Sequence, residues 1–219
     1  MLLRIVFVVC LVALLACNRE PAPTSADGSR VARGSYVANG VGRCFWCHSP
    51  QTNSDPATPK PEMLGAGDVL DKDTPIVAPN LTPDAETGIG QWTDAEVIRA
   101  VRQGIGRDGR RLRGDHPAAY YSVMSDEDAT ALVAYLRSLR PIRNRLPRSA
   151  PPRRAGESVQ PFVQPATVVR DTPEARGAYL VQLAECAGCH TTTTPDGKPH
   201  RKMLFGGGRR FVETPLGYG

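Results

Sequence analysis

Aromatic residues are scarce in this sequence, 6% of its 219 positions, while chain breakers abound, with 21 glycines and 20 prolines. This excludes a large core of stacked rings and long regular elements. Short helices joined by long loops are expected, and a bound cofactor would supply apolar mass that such a chain lacks. The apolar run from Ile5 to Ala16 is shorter than the ~20 residues a membrane-spanning helix needs. Acidic residues are absent between Arg137 and Arg154, where arginine is densest. Cysteine is limited to six positions, and their placement is the most informative feature of the chain.

What is present begins with an export signal. Arg4 precedes the apolar run, and small Ala16 precedes Cys17, the pattern of a secretory signal peptide over residues 1–16. "LLAC" resembles the bacterial lipobox, in which the cysteine becomes the lipidated first residue, so Cys17 is the expected lipid attachment site. The alternatives are a signal cleaved nearby and a short uncleaved anchor. Residues 17–28 are polar and proline-bearing and read as a flexible tether. With Cys10 in the signal and Cys17 on lipid, Cys44, Cys47, Cys186 and Cys189 remain, all inside C-x-x-C-H motifs. None is left for a disulfide framework, although export would permit one.

"RCFWCH" and "CAGCH" have the spacing of covalent c-type haem attachment. Two thiols reach the two vinyl groups of one porphyrin, and the next residue, His48 or His190, lies under the iron as proximal ligand. Two covalently bound haem c groups are therefore expected. A zinc ribbon pairs its C-x-x-C halves about 15 to 20 residues apart, whereas 138 residues separate these two. A thioredoxin-like dithiol calls for a strand-helix-strand setting, which the Gly/Pro-rich surroundings do not suggest.

The motifs belong to a repeat. "ARGSYVANGVGRCFWCH" matches "ARGAYLVQLAECAGCH", and Met63, Leu64, Gly67, Thr74 and Pro75 correspond at constant offset to Met203, Leu204, Gly207, Thr214 and Pro215. The first copy continues into "WTDAEVIRAVRQ", where Thr93 and Glu96 form a capping box for a helix over 94–103. A polar loop, 106–124, follows. Ser125 then caps a helix over 126–139 with acids on its first turn and Leu132, Val133, Leu136 and Leu139 on one face. The second copy stops at Gly219, so either the sequence is incomplete or the second site is minimal. The expected domains are a first module over 29–140, an Arg/Pro-rich linker over 141–172 and a partial second module over 173–219.

"ARGxY" before each C-x-x-C-H, "NLTPDAETGIGQWTDAEV" and "SDEDATALVAYLRSL" resemble the multihaem cytochrome c subunits of bacterial membrane-bound dehydrogenases for alcohols, gluconate and similar substrates. The resemblance implies a mostly α fold of tandem class I cytochrome c modules, the second incomplete, with the first helix crossing that after Ser125. In that family a Met-Pro-Tyr-type motif nine residues before the capping serine supplies the sixth iron ligand. Here that position is His116, followed by Pro117. Imidazole is a competent ligand, so the first haem is expected to be bis-histidine, with a potential below that of a Met/His site. Met124, Met63, Met203 and, for the second iron, His200 are the rivals; His116 as a plain loop histidine is the remaining alternative. Trp92 is expected to pack by the haem and donate its indole N–H to a propionate, or else to be a core residue.

The resemblance implies a lipid-anchored electron carrier on the periplasmic side of a bacterial membrane, not an enzyme. Its expected donor is a periplasmic dehydrogenase and its acceptor a membrane-bound respiratory component. The lipid tether concentrates it near such partners, and the arginine cluster would meet an acidic partner or anionic lipid, or simply be a solvated linker. A dihaem peroxidase-like enzyme with an open second haem is the alternative, with ligand sensing at that haem a third. The chain is basic at +5, but export, haem sites and the lack of a stacking platform argue against nucleic acid as partner.

Overall fold

The computed structural model describes residues 25–55, 58–71, 73, 76–112, 116–149, 172–194 and 200–209. The signal sequence and Cys17 lie outside them. Helix α1, Ser25–Ser35, widens into a π-type turn, Tyr36–Val41, and is followed by the single-turn helix α2, Cys44–Cys47. A two-stranded antiparallel sheet comes next, β1 (Asp68–Asp71) with β2 (Ile76–Ala78), pairing Val69 with Val77. Helices α3 (Asp94–Gln103), α4 (Ala118–Tyr121) and α5 (Asp126–Ser138) complete the first half. The second half holds α6 (Pro173–Leu183) and α7 (Cys186–His190).

The fold is mostly helical, and α1 crosses α5 at Gly34. A β-carbon on Gly34 would lie 1.9 Å from the Ala131 carbonyl oxygen, so only glycine allows the two backbones this close. Leu132, Val133 and Leu136 of α5 are fully buried beneath the crossing with Val37, Ala38 and Phe45. Each such side chain contributes roughly 1.5–3 kcal/mol by leaving water. Leu139, the last of the expected apolar face, is only half-buried, since the helix ends at Ser138.

Both expected caps are present. Thr93 accepts from the Glu96 amide at 3.3 Å while the Glu96 carboxylate accepts from the Thr93 amide at 2.8 Å, and Ser125 accepts from the Asp128 amide at 3.1 Å. Three expectations need correction. The stretch expected to be a tether is helical from Ser25, with Asp27 on the first turn, where the helix dipole favours an acid. The loop expected over 106–124 pairs Arg111 with Ile105 in a bridge and contains the turn α4, whose Tyr121 is buried. The residues expected to start a linker are bound to the first module. Asn80 donates to the Ile142 carbonyl at 2.7 Å, Asn144 to the Ala66 carbonyl at 3.0 Å, and Ser149 to that of Val77 at 3.0 Å. A run with prolines cannot form a ladder, so side-chain amides and hydroxyls hold this strap instead.

The α6 helix joins the same core. Thr172 caps it by accepting from the Ala175 amide, and Pro173 occupies the first turn, where a missing N–H costs nothing. Tyr179 and Leu183 are buried against the first half of the chain.

Candidate functional site

The first C-x-x-C-H motif opens on Arg43, held in the left-handed region at φ 43°, with its guanidinium 4.8 Å from the centre of the Trp46 ring. The α2 turn then places Cys44 and Cys47, three residues apart, on one side. Neither is in a disulfide; Cys44 is half-buried and Cys47 exposed. Burial pushes the Cys44 thiol up to about 12, which makes it a poor thiolate for exchange or zinc binding. Among the described residues no group of three or more His, Cys, Asp or Glu is gathered as a metal site.

The imidazole of His48 follows. Its Nδ1 donates to the Pro79 carbonyl oxygen at 2.7 Å, and the surrounding protein lowers its basicity against the opposing effect of that carbonyl. A neutral ring with the proton fixed on Nδ1 leaves Nε2 as a lone-pair donor, the arrangement an iron ligand requires. Pro79 is placed by β2, immediately before it. Nothing in the sequence pointed to this carbonyl.

His116 is brought to the same neighbourhood. Its basicity is lowered to about 4, first by burial and then by His48, whose charge it would feel. Its Nδ1 is buried without a hydrogen-bond partner, and such an orphan calls for an explanation. The ring lies edge-on to Tyr121, centroids 6.0 Å apart, and the Tyr121 hydroxyl donates to the Gly42 carbonyl at 2.6 Å just ahead of the motif. His116 thus lies close enough to His48 to feel its charge, and two imidazoles of lowered basicity are donor types suited to a haem iron.

The rival methionines are placed differently. Met124 is buried in the core with Ala129, the pairing of a hydrophobic staple. Met63 is half-buried at the end of a single 3-10 turn, Pro61–Met63, and Met203 is exposed at the end of the matching turn, Arg201–Met203. His200 also has an unpartnered, buried Nδ1. Trp92 packs half-buried against the core, its carbonyl accepting from Arg137.

The local fold recurs around the second motif. Glu185 takes the place of Arg43, again left-handed at φ 60°. Gly67 donates to the His48 carbonyl at 2.9 Å, and Gly207 to that of His190 at 2.9 Å. Ser49 accepts from the Gly65 amide at 2.9 Å as Thr191 accepts from Phe205 at 3.2 Å. Lys60 donates to the Pro50 carbonyl, and His200 to that of Thr192. Cys186 is half-buried, while Cys189 and His190 are exposed. At the repeat offset of 140 the counterpart of Pro79 is Gly219, outside the described residues. No helix among the described residues is long and apolar enough to cross a membrane.

Residues 31–140 match the family model described as Cytochrome c. The chain is 35% identical over 194 residues to a nicotinate dehydrogenase subunit of Pseudomonas putida, covering 82% of this chain and 15% of that one. It is 33% identical over 185 residues to the gluconate 2-dehydrogenase cytochrome c subunit of Pantoea cypripedii, covering 78% of this chain and 40% of that one. A diheme cytochrome c-type protein of Cereibacter sphaeroides is 28% identical over 186 residues, 77% of this chain and 60% of its own length. The chain thus spans less than half the length of the first two relatives.

Proposed function

The chain belongs to the cytochrome c family, and from that premise we propose that it is a lipid-anchored dihaem c-type cytochrome carrying electrons from a periplasmic dehydrogenase towards the respiratory chain. Family membership implies covalent haem c and electron transfer; the second haem, the lipid anchor, the exported location and the direction of transfer are the further content of this reading. Cys44, Cys47 and His48 would hold one haem, and Cys186, Cys189 and His190 the other. Haem iron supplies the one-electron couple.

The observation that carries the reading is the pair of imidazoles. The Pro79 carbonyl fixes the His48 proton on Nδ1, and His116 offers a desolvated ring within reach of the His48 charge. A haem held by both His48 and His116 would have no vacancy for substrate and would serve as a carrier. The names of the relatives, cytochrome c subunits of gluconate and alcohol dehydrogenases among them, support a dehydrogenase as donor. Lipid on Cys17 would keep the carrier beside membrane-bound partners.

The test is to express the full chain with the bacterial cytochrome maturation machinery and weigh it. Two added haem groups, reduced to one in Cys186→Ser/Cys189→Ser, are expected. One haem in the parent protein would remove the dihaem reading. Fatty-acid labelling that disappears in Cys17→Ser would support the anchor. Reduction of the purified cytochrome by a periplasmic dehydrogenase with its substrate tests the donor. A second reading is a peroxidase-like enzyme with an open second haem. It predicts peroxide turnover by the reduced protein that is abolished by His190→Ala.

A further inference from the structure

The one-turn helix α4 stands between the two C-x-x-C-H motifs. Tyr121 serves the first: it is buried, donates to the Gly42 carbonyl at 2.6 Å, and lies where Cys44 and Cys47 act on it electrostatically. Tyr120, the next residue back, is rotated about 100° around the helix and serves the second. Its hydroxyl oxygen lies 3.3 Å from the point where a β-carbon on Gly188, inside "CAGCH", would stand. Burial raises the Tyr120 phenol. The residues that open the motifs are within electrostatic reach of one another: burial raises the Glu185 carboxyl, and Arg43 opposes the rise.

We propose that α4 is the shared wall of the two haem sites and that Tyr120, packed on the Gly188 turn, is the positioning residue that sets electron exchange between them. The inference rests on the dihaem reading. One electron leaves one site and arrives at the other, with no proton and no bond made or broken, so the protein contributes packing and distance. Tyr120 packs beside the second motif and fixes the Cys186–Cys189 turn relative to the first. A β-carbon at 188 would crowd the Tyr120 hydroxyl, which would have to give by a few tenths of an ångström.

The experiment uses the full chain after mass has established its haem content. Half-reducing the protein with a light pulse and following redistribution between the haems gives the intramolecular rate. Tyr120→Ala is expected to slow it severalfold while leaving two haems, the visible bands and the melting temperature in place; Tyr120→Phe keeps the ring and is expected to stay near the parent rate. If Tyr120→Ala sheds the second haem, Gly188→Ala takes its place. That variant is expected to shift the rate and to recover when Tyr120→Phe removes the obstructing oxygen. Two haems with an unmoved rate in Tyr120→Ala, or in its substitute Gly188→Ala, overturn this inference alone. One haem in the parent protein overturns the dihaem reading and the inference together.

Discussion

The hydroxyl of Tyr179 lies 2.6 Å from the carboxylate of Asp128, which Arg33 holds at 2.8 and 3.0 Å. Asp128 has no exposed surface. The carboxylate therefore joins three parts of the chain: α1 through Arg33, its own helix α5, and α6 of the second repeat through Tyr179. The Ser125 amide adds a contact to the Tyr179 oxygen at 3.3 Å. Tyr36, which occupies the same place in the first "ARGxY", is 44% exposed under the Arg33 guanidinium. One repeated motif thus does two jobs, and only the second copy uses its tyrosine to dock the halves.

Tyr179→Phe removes one hydrogen bond to a buried charge and is expected to cost about 1.5–3 kcal/mol. Asp128→Ala leaves Arg33 without its partner in a partly buried position and is expected to cost more, about 3–5 kcal/mol. Denaturant midpoints of the haem-loaded protein check both. Equal losses would mean that Tyr179 carries the whole contact.

The two repeat glycines provide an internal comparison. Gly34→Ala places a β-carbon into the Ala131 backbone at 1.9 Å and is expected to separate α1 from α5, with loss of folding or of haem incorporation. At the matching position, Gly177→Ala meets nothing within 4 Å. Replacing a mid-helix glycine there is expected to stabilise by up to about 1 kcal/mol. Thermal melts of the two variants should move in opposite directions.

The parts of this fold legible in the sequence are those written locally. The capping box of Thr93 and Glu96, the Ser125 cap and the period of Leu132, Val133 and Leu136 each depend on residues a few positions apart, so local chemistry gives the helices directly. The haem motifs are equally local. What escaped depends on distant partners. The β1–β2 pairing joins two short half-buried runs with no alternation strong enough to mark them. The strap over 141–149 looks like a linker because its proline-rich backbone is held by Asn80, Asn144 and Ser149 rather than by its own pattern. The Pro79 carbonyl has no residue-type signature at all. Tyr179 had a signal, its place in the repeated "ARGxY", but the repeat does not say which copy buries it.

The α3 capping box gives a pH-dependent contribution. The Thr93 amide holds the Glu96 carboxyl below its usual range. A carboxylate depressed in the folded state stabilises above its unfolded pKa, and that contribution is lost as pH falls through the folded value. Thr93→Ala is expected to cost about 1 kcal/mol. Glu96→Gln, which keeps a hydrogen-bond acceptor and abolishes the titration, is expected to flatten the acid limb of the stability profile. Melting temperatures followed from neutral to acid pH in parent and variant separate the two effects.

Ligation by His116 makes the sharpest prediction for the first haem. Its ring is desolvated, its Nδ1 lacks a partner, and it faces the neighbourhood of His48; Met124, by contrast, is committed to the core as a staple. Histidine as sixth ligand gives a lower potential than methionine, so His116→Met is expected to raise the potential of this haem alone and to introduce the near-infrared methionine-to-iron band. His116→Ala opens the position, and carbon monoxide should then bind the reduced first haem, where the parent protein resists it. The parent spectrum already discriminates: a methionine-to-iron band assigned to the first haem before any substitution would falsify ligation by His116. Redox titration and a carbon monoxide difference spectrum on the three proteins, with Cys186→Ser/Cys189→Ser to remove the second haem, complete the test.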